Sequence, residues 1–267
     1  MVCKKVLLLD TIYLILKMKI KISAVSYTNT KPFIYGIQHS DLLDKIELSL
    51  DNPTDCAQKL IDNVVDIGLI PVAATLSMPH WEIVADYCIG AVGPVNSVFI
   101  FSNCDITQVK KLQLDPQSRS SNNLARVLLK NFWGISPELI VDAPDYAQST
   151  DAETAFVQIG DRTFGKTDKY PFVYDLAGEW QKFTGLPFCF AAWIANKPIP
   201  QEFVTEFNKA LKFGLDHRTE LLKELPARDD FDLEDYLMHK LDFELTEKKK
   251  EALYLFLSYV KHLKPLV

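Results

Sequence analysis

Apolar positions along the chain fall into runs of two kinds, and their spacing decides which elements they predict. Short runs that alternate, or that are apolar throughout, read as strands at 19–25, 46–50, 67–70, 83–87 and 97–101. The same reading holds for 112–114, 139–141, 155–159 and 188–195. Ile67 to Ile70 and Phe188 to Ala195 are apolar almost throughout, as strands covered on both faces require, and Pro71 closes the first of them. Helical spacing takes over between the strands. Lys31-Pro32 opens a short helix over Phe33–Ile37, because proline's missing N–H costs nothing in a first turn. Thr54 is placed to cap 55–63. Residues 122–132 put Leu124, Val127, Leu128 and Phe132 on one face. A helix over 174–183 and a helical tail at 201–213, 217–225, 233–238 and 246–263 complete the pattern.

Strands alternating with helices predict an α/β fold. A middle segment carries βα units of its own, so the chain reads as two lobes: 18–101 with 194–267, and 102–193. The break points fall near 101 and 193. Two crossings make a hinge, with a ligand held between the lobes.

Residues 1–17 stand apart as an N-terminal extension. Their apolar run is interrupted by Asp10, is followed by no small-residue cleavage site, and is too short to span a bilayer. Met18 sits directly before the first strand, so the expectation is an unexported, cytoplasmic protein without stable membrane association.

Composition narrows the partners. A formal charge of -6 and a pI near 5.4 argue against nucleic acid. Cys3, Cys56, Cys88, Cys104 and Cys189 are widely spaced and odd in number, which suits reduced thiols. The five histidines are equally dispersed, so no metal and no cofactor is expected. Lys248-Lys249-Lys250 reads as a solvated face rather than a nucleic-acid patch.

Three polar clusters fall where strands end or helices begin. The first is Ser26-Tyr27-Thr28-Asn29-Thr30-Lys31, the second Asn96-Ser97 after the Gly93-Pro94 turn, the third Ser118-Arg119-Ser120-Ser121. Hydroxyls and free N–H groups at such points suit a carboxylate or phosphate, and Arg119 is available to add charge. No GxGxxG, Walker motif or nucleophile elbow occurs, and no histidine lies in the clusters. Asp66, Asp86, Glu153 and Asp161, near strand ends, read as structural. The residues alone therefore describe a two-lobed binder of a small anion, whose chemistry would rest on orientation and electrostatics.

Val25 to Phe33, Asp66 to Val72, Gly93 to Val98, Ser118 to Ser121, Ile159-Gly160-Asp161 and the block from Tyr174 through Phe188 to Trp193 resemble one family in order and spacing. It is the chorismate dehydratase family of the futalosine route to menaquinone, and the resemblance runs from Lys19 onward. It implies a type 2 periplasmic-binding-protein-like fold in a cytoplasmic hydro-lyase. The implied reaction removes water from chorismate and gives 3-[(1-carboxyvinyl)oxy]benzoate. The implied catalytic residues are Asn29 and Ser97, with Ser26, Tyr27, Thr30, Ser120 and Ser121 binding substrate. Thr28, where a larger apolar residue is common, and the polar Asn96 depart from the pattern without removing a functional residue. The competing reading is a non-catalytic solute-binding protein for a small carboxylate. A later step of the same pathway, carried by a related family of the same fold, fits the first block less well.

Overall fold

The structure, a computed structural model, describes residues 19–148 and 151–264. The extension read at 1–17 lies outside them. Two sheets form, with strands numbered along the chain. The first holds β1 (Ile20–Val25), β2 (Ile46–Asp51), β3 (Ile67–Pro71), β4 (Glu82–Ala91), β10 (Phe188–Ala195) and β11 (Asp242–Glu244). The second holds β5 (Val98–Ser102), β6 (Lys111–Gln113), β7 (Glu138–Ile140), β8 (Thr154–Ile159) and β9 (Phe172–Asp175). Their orders are β11-β4-β10-β3-β1-β2 and β7-β6-β8-β5-β9. β1 pairs parallel with β2 and β3, whereas β10 runs antiparallel between β3 and β4.

The chain changes sheet earlier than the apolar pattern implied. β5 pairs antiparallel with β8 and β9, so the first crossing lies at 92–97 rather than near 101. β10 has already rejoined the first sheet at Phe188, ahead of the expected 193. An apolar run marks a strand as buried but says nothing about which neighbour it will pair with.

Local chemistry explains the helix starts. Asn52, not Thr54, caps α2 (Pro53–Ile61), its Oδ1 accepting the N–H groups of Thr54 and Asp55. Ser118 caps α3 (Arg119–Asn131), which places Ser120 and Ser121 inside the first turn. The helix expected at 174–183 starts later. Its first two residues end β9, and Asp175 caps α4 (Leu176–Thr184). The expected helix at 233–238 is a single turn, Leu233–Asp235, running into a π-helical turn at Tyr236–Lys240. α6 (Arg218–Glu224) precedes that turn, and α7 (Glu247–Lys261) closes the described chain.

Lys249 corrects the reading of the lysine run as a solvated face. It is fully buried, and its Nζ donates to Asp242 O and Oδ1 and to Glu244 O, pinning β11. Trp180, Trp193, Phe33, Phe207 and Phe256 are buried in one core that reaches both sheets.

α1 (Lys31–Gln38) crosses α5 (Gln201–Asp216) at Gly36 and Gly214. A Cβ on Gly214 would stand 1.8 Å from the Pro32 carbonyl oxygen, so the helices touch backbone to backbone. Gly214→Ala is expected to lower stability by about 2–3 kcal/mol, because backbone cannot rotate away as a side chain can. Thermal unfolding checks this, as a midpoint several degrees below that of the parent protein.

Candidate functional site

The first polar cluster leaves β1 at Val25 and makes a 3-10 turn, Thr28–Thr30, before α1. That turn is pinned from the opposite sheet. The Asp161 carboxylate, just past β8, accepts the Thr28 N–H at 3.1 and 3.2 Å and the Thr28 hydroxyl at 2.8 Å. Gly160 beside it has φ +63, and a Cβ there would lie 2.7 Å from the Tyr27 ring. A left-handed turn pressed against an aromatic face admits only glycine without strain. Tyr27 donates its hydroxyl to Gln117. Burial raises the Tyr27 pKa against the opposing pull of the Arg162 guanidinium.

The second cluster sits on the crossing between sheets. Val95 and Asn96 donate their N–H groups to Asp175 Oδ2 at 2.9 and 2.7 Å. The other oxygen of that carboxylate caps α4 through Ala177 and Gly178. Burial pushes the Asp175 pKa up to about 6 despite these four donors. Asn96 has φ +59, a left-handed conformation that asparagine tolerates better than other non-glycine residues. Ser97 follows, buried at the foot of β5, with its carbonyl accepting the Gly160 N–H at 2.8 Å.

The third cluster brings the N-terminus of α3. Ser118 Oγ accepts the Ser121 N–H, and Ser120 Oγ accepts the Ala73 N–H at 3.1 Å, tying α3 to the end of β3. Arg119 reaches outward to Gln58 Oε1 and does not line the site.

These turns enclose one cleft. Tyr27, Asn29, Ser97, Ser120 and Ser121 line it together with Ser118 and Gly160, against apolar walls that include Val25, Ile89, Val95 and Phe190. Thr30 is buried below the turn and donates to Asn29 Oδ1 at 3.2 Å. Ser26 faces a separate groove beside Lys31 and Tyr35. Of the seven predicted site residues, the cleft therefore gathers five. Among the described residues that line it, there is no lysine, arginine, histidine, aspartate or glutamate. Hydroxyls, amide groups and the positive end of α3 supply what attraction it has for an anion.

A model of the menaquinone biosynthesis family matches residues 20–262. The chain belongs to that family. It is the family of the chorismate dehydratases, hydro-lyases of the futalosine route. Solved structures agree on the fold. A protein of Archaeoglobus fulgidus superposes with TM-score 0.70 at 14% identity, covering 91% of this chain and 97% of that one. A Candida albicans gene product, described as having the generic periplasmic binding protein fold, gives 0.65 at 13% identity, covering 94% and 92%. The periplasmic aliphatic sulphonate binding protein of Escherichia coli gives 0.53 at 16%, covering 92% and 94%. The α/β, two-sheet, type 2 periplasmic-binding-protein-like architecture expected from the sequence is the one this family member has.

Around the cleft of this family member lie residues that sequence reasoning missed. Asp115 is fully buried and accepts Arg162 Nη2 at 2.8 and 2.7 Å, the Ile159 N–H at 3.0 Å and the Gln117 N–H at 2.9 Å. It thereby positions Gln117 for Tyr27. Tyr236 reaches Ser97 from the C-terminal segment. Asp175 was read as the second residue of a helix, although an aspartate at such a start is a usual mark of a cap. Asp115 and Tyr236 had no such mark, since their partners are far away in the chain.

Proposed function

We propose that this chain removes water from chorismate, giving 3-[(1-carboxyvinyl)oxy]benzoate, in the cleft between its two sheets. The observation that carries the reading is the meeting of Asn29, Ser97 and the first turn of α3 around one cleft, with no charged side chain among the described residues that line it. Chorismate brings two carboxylates of its own. One suits the hydroxyls and N–H groups at Ser120 and Ser121, where a helix N-terminus favours negative charge.

The chemistry needs little from the protein beyond placement. The proton on the ether-bearing ring carbon is activated through the ring double bond by the ring carboxylate. Its C–H electron pair becomes a ring double bond, the C–O bond to the neighbouring hydroxyl breaks, and the departing hydroxide takes up a proton to leave as water. The ring becomes aromatic, which drives the step. A neutral amide is too weak a base for that proton. The enolpyruvyl carboxylate of the substrate accepts it instead, oriented by Asn29, while Ser97 donates to the departing hydroxyl. Closure of the two sheets excludes water and strengthens these contacts.

We place the reaction in the cytoplasm, as the family resemblance implies. No helix among the described residues is long and apolar enough to cross a membrane. Incubating the purified chain with chorismate, with ultraviolet spectra and mass analysis of the products, tests the proposal. The expected product is one water lighter and aromatic. Chorismate left intact by folded protein sinks the enzyme reading, and calorimetric binding without turnover would leave a solute-binding protein.

A further inference from the structure

We propose that Tyr236 is a positioning residue of this site, its phenol holding Ser97 so that the serine presents its own hydrogen to the ligand. The inference rests on the dehydratase reading and adds to it a residue from a remote segment of the chain.

Tyr236 is almost completely buried, on the π-helical turn that ends in Leu241, a residue of the cleft wall. π turns inside helices recur at functional sites because they aim one side chain out of register. Its ring is gripped edge-on by Phe164 at 5.5 Å and Phe231 at 5.3 Å, and those two stack at 3.6 Å. The ring has little freedom to turn, so the hydroxyl has a fixed address. That hydroxyl donates to Ser97 Oγ at 2.8 Å.

Donor and acceptor accounting sets the direction of the chain. The Tyr236 proton is spent on Ser97 Oγ, so the serine must point its own hydrogen elsewhere. The open direction is the cleft that Ser97 lines. Burial raises the Tyr236 pKa well above the ordinary phenol value, which keeps it a donor rather than a base near neutral pH. A serine free to rotate would spend part of its time as an acceptor toward an anionic ligand, where two oxygens repel.

Tyr236→Phe keeps the ring contacts and removes only the hydroxyl. Its kcat on chorismate is expected to fall about 10- to 100-fold with KM changed less than about threefold, because a group is misaimed rather than removed. Thermal unfolding should stay close to the parent. The S97A/Y236F double variant should lose less than the product of the two single losses, since the tyrosine acts through the serine. Unchanged kcat in Y236F, or losses that multiply in full, overturns the inference while leaving the dehydratase reading intact. A parent protein that binds chorismate without converting it overturns the dehydratase reading. The same four proteins then report on Tyr236 through calorimetric affinity, and equal affinity of Y236F and parent overturns the inference there. A parent that neither binds nor converts chorismate overturns both.

Discussion

Asn29→Ala is expected to lower kcat on chorismate by roughly 10²- to 10³-fold, the loss usual when one preorganised donor is taken from a reacting centre. The amide sits on a 3-10 turn held by Asp161 from the opposite sheet, with its oxygen tied to Thr30. It is therefore preorganised, and its remaining N–H groups need no rearrangement as charge moves through the substrate. The cleft lining offers no charged side chain to take over the role among the described residues. The turn itself is built from backbone and from the Thr28–Asp161 contacts, so the fold should survive the substitution. Steady-state kinetics beside thermal unfolding check this. Near-normal turnover in a folded variant would remove Asn29 from the mechanism.

Asp175→Ala is expected to have the largest effect on stability, about 3–7 kcal/mol at neutral pH. It removes the cap of α4, worth about 1 kcal/mol, and strips the partner from the Val95 and Asn96 N–H groups, at about 1–3 kcal/mol for each buried donor left unpaired. Urea unfolding at pH 7 measures it. Activity should fall too, because the loop those donors hold delivers Ser97.

The pH dependence of the same residue has a definite sign. Burial lifts its pKa to about 6 from the ordinary 3.8, so the folded state holds the proton more tightly. Its contribution to stability is complete below about pH 4 and is lost as pH rises through 6. The gap in unfolding free energy between the parent and Asp175→Ala should therefore narrow from pH 4 to pH 7. A gap that widened would mean the carboxylate is better solvated by its four donors than burial implies.

Most of the fold was legible because periodicity is local. Ile67 to Ile70 and Phe188 to Ala195 are strands for the reason their composition indicates: both are buried throughout. The three polar clusters were legible because turns and helix starts need hydroxyls, amides and proline at fixed offsets. Two of the short strands were not. β11, of three residues, and β9, of four, lie in stretches whose apolar spacing read as helix or as no element, and each pairs at the edge of its sheet. Ser26 and Thr30 share the first cluster with Asn29, yet a turn disperses consecutive side chains. One faces another groove, one lies beneath, and only Asn29 and Tyr27 reach the cleft.

By itself, then, the order of residues determined an α/β chain of two lobes, three polar clusters at strand ends and helix starts, and a menaquinone-biosynthesis family membership. Each of these is written in spacings of a few residues or in short blocks. Tertiary structure decided what depends on distance along the chain: which sheet β5 and β10 join, and that Arg119 points away from the cleft. It also decided that Lys249 is buried under β11 and that Asp161, Asp175 and Tyr236 hold the turns bearing Thr28, Asn96 and Ser97. Those contacts join residues 79 to 139 positions apart, where no local pattern can record them. Burial then makes each of them count, because an unpaired polar group inside the protein has no water to turn to.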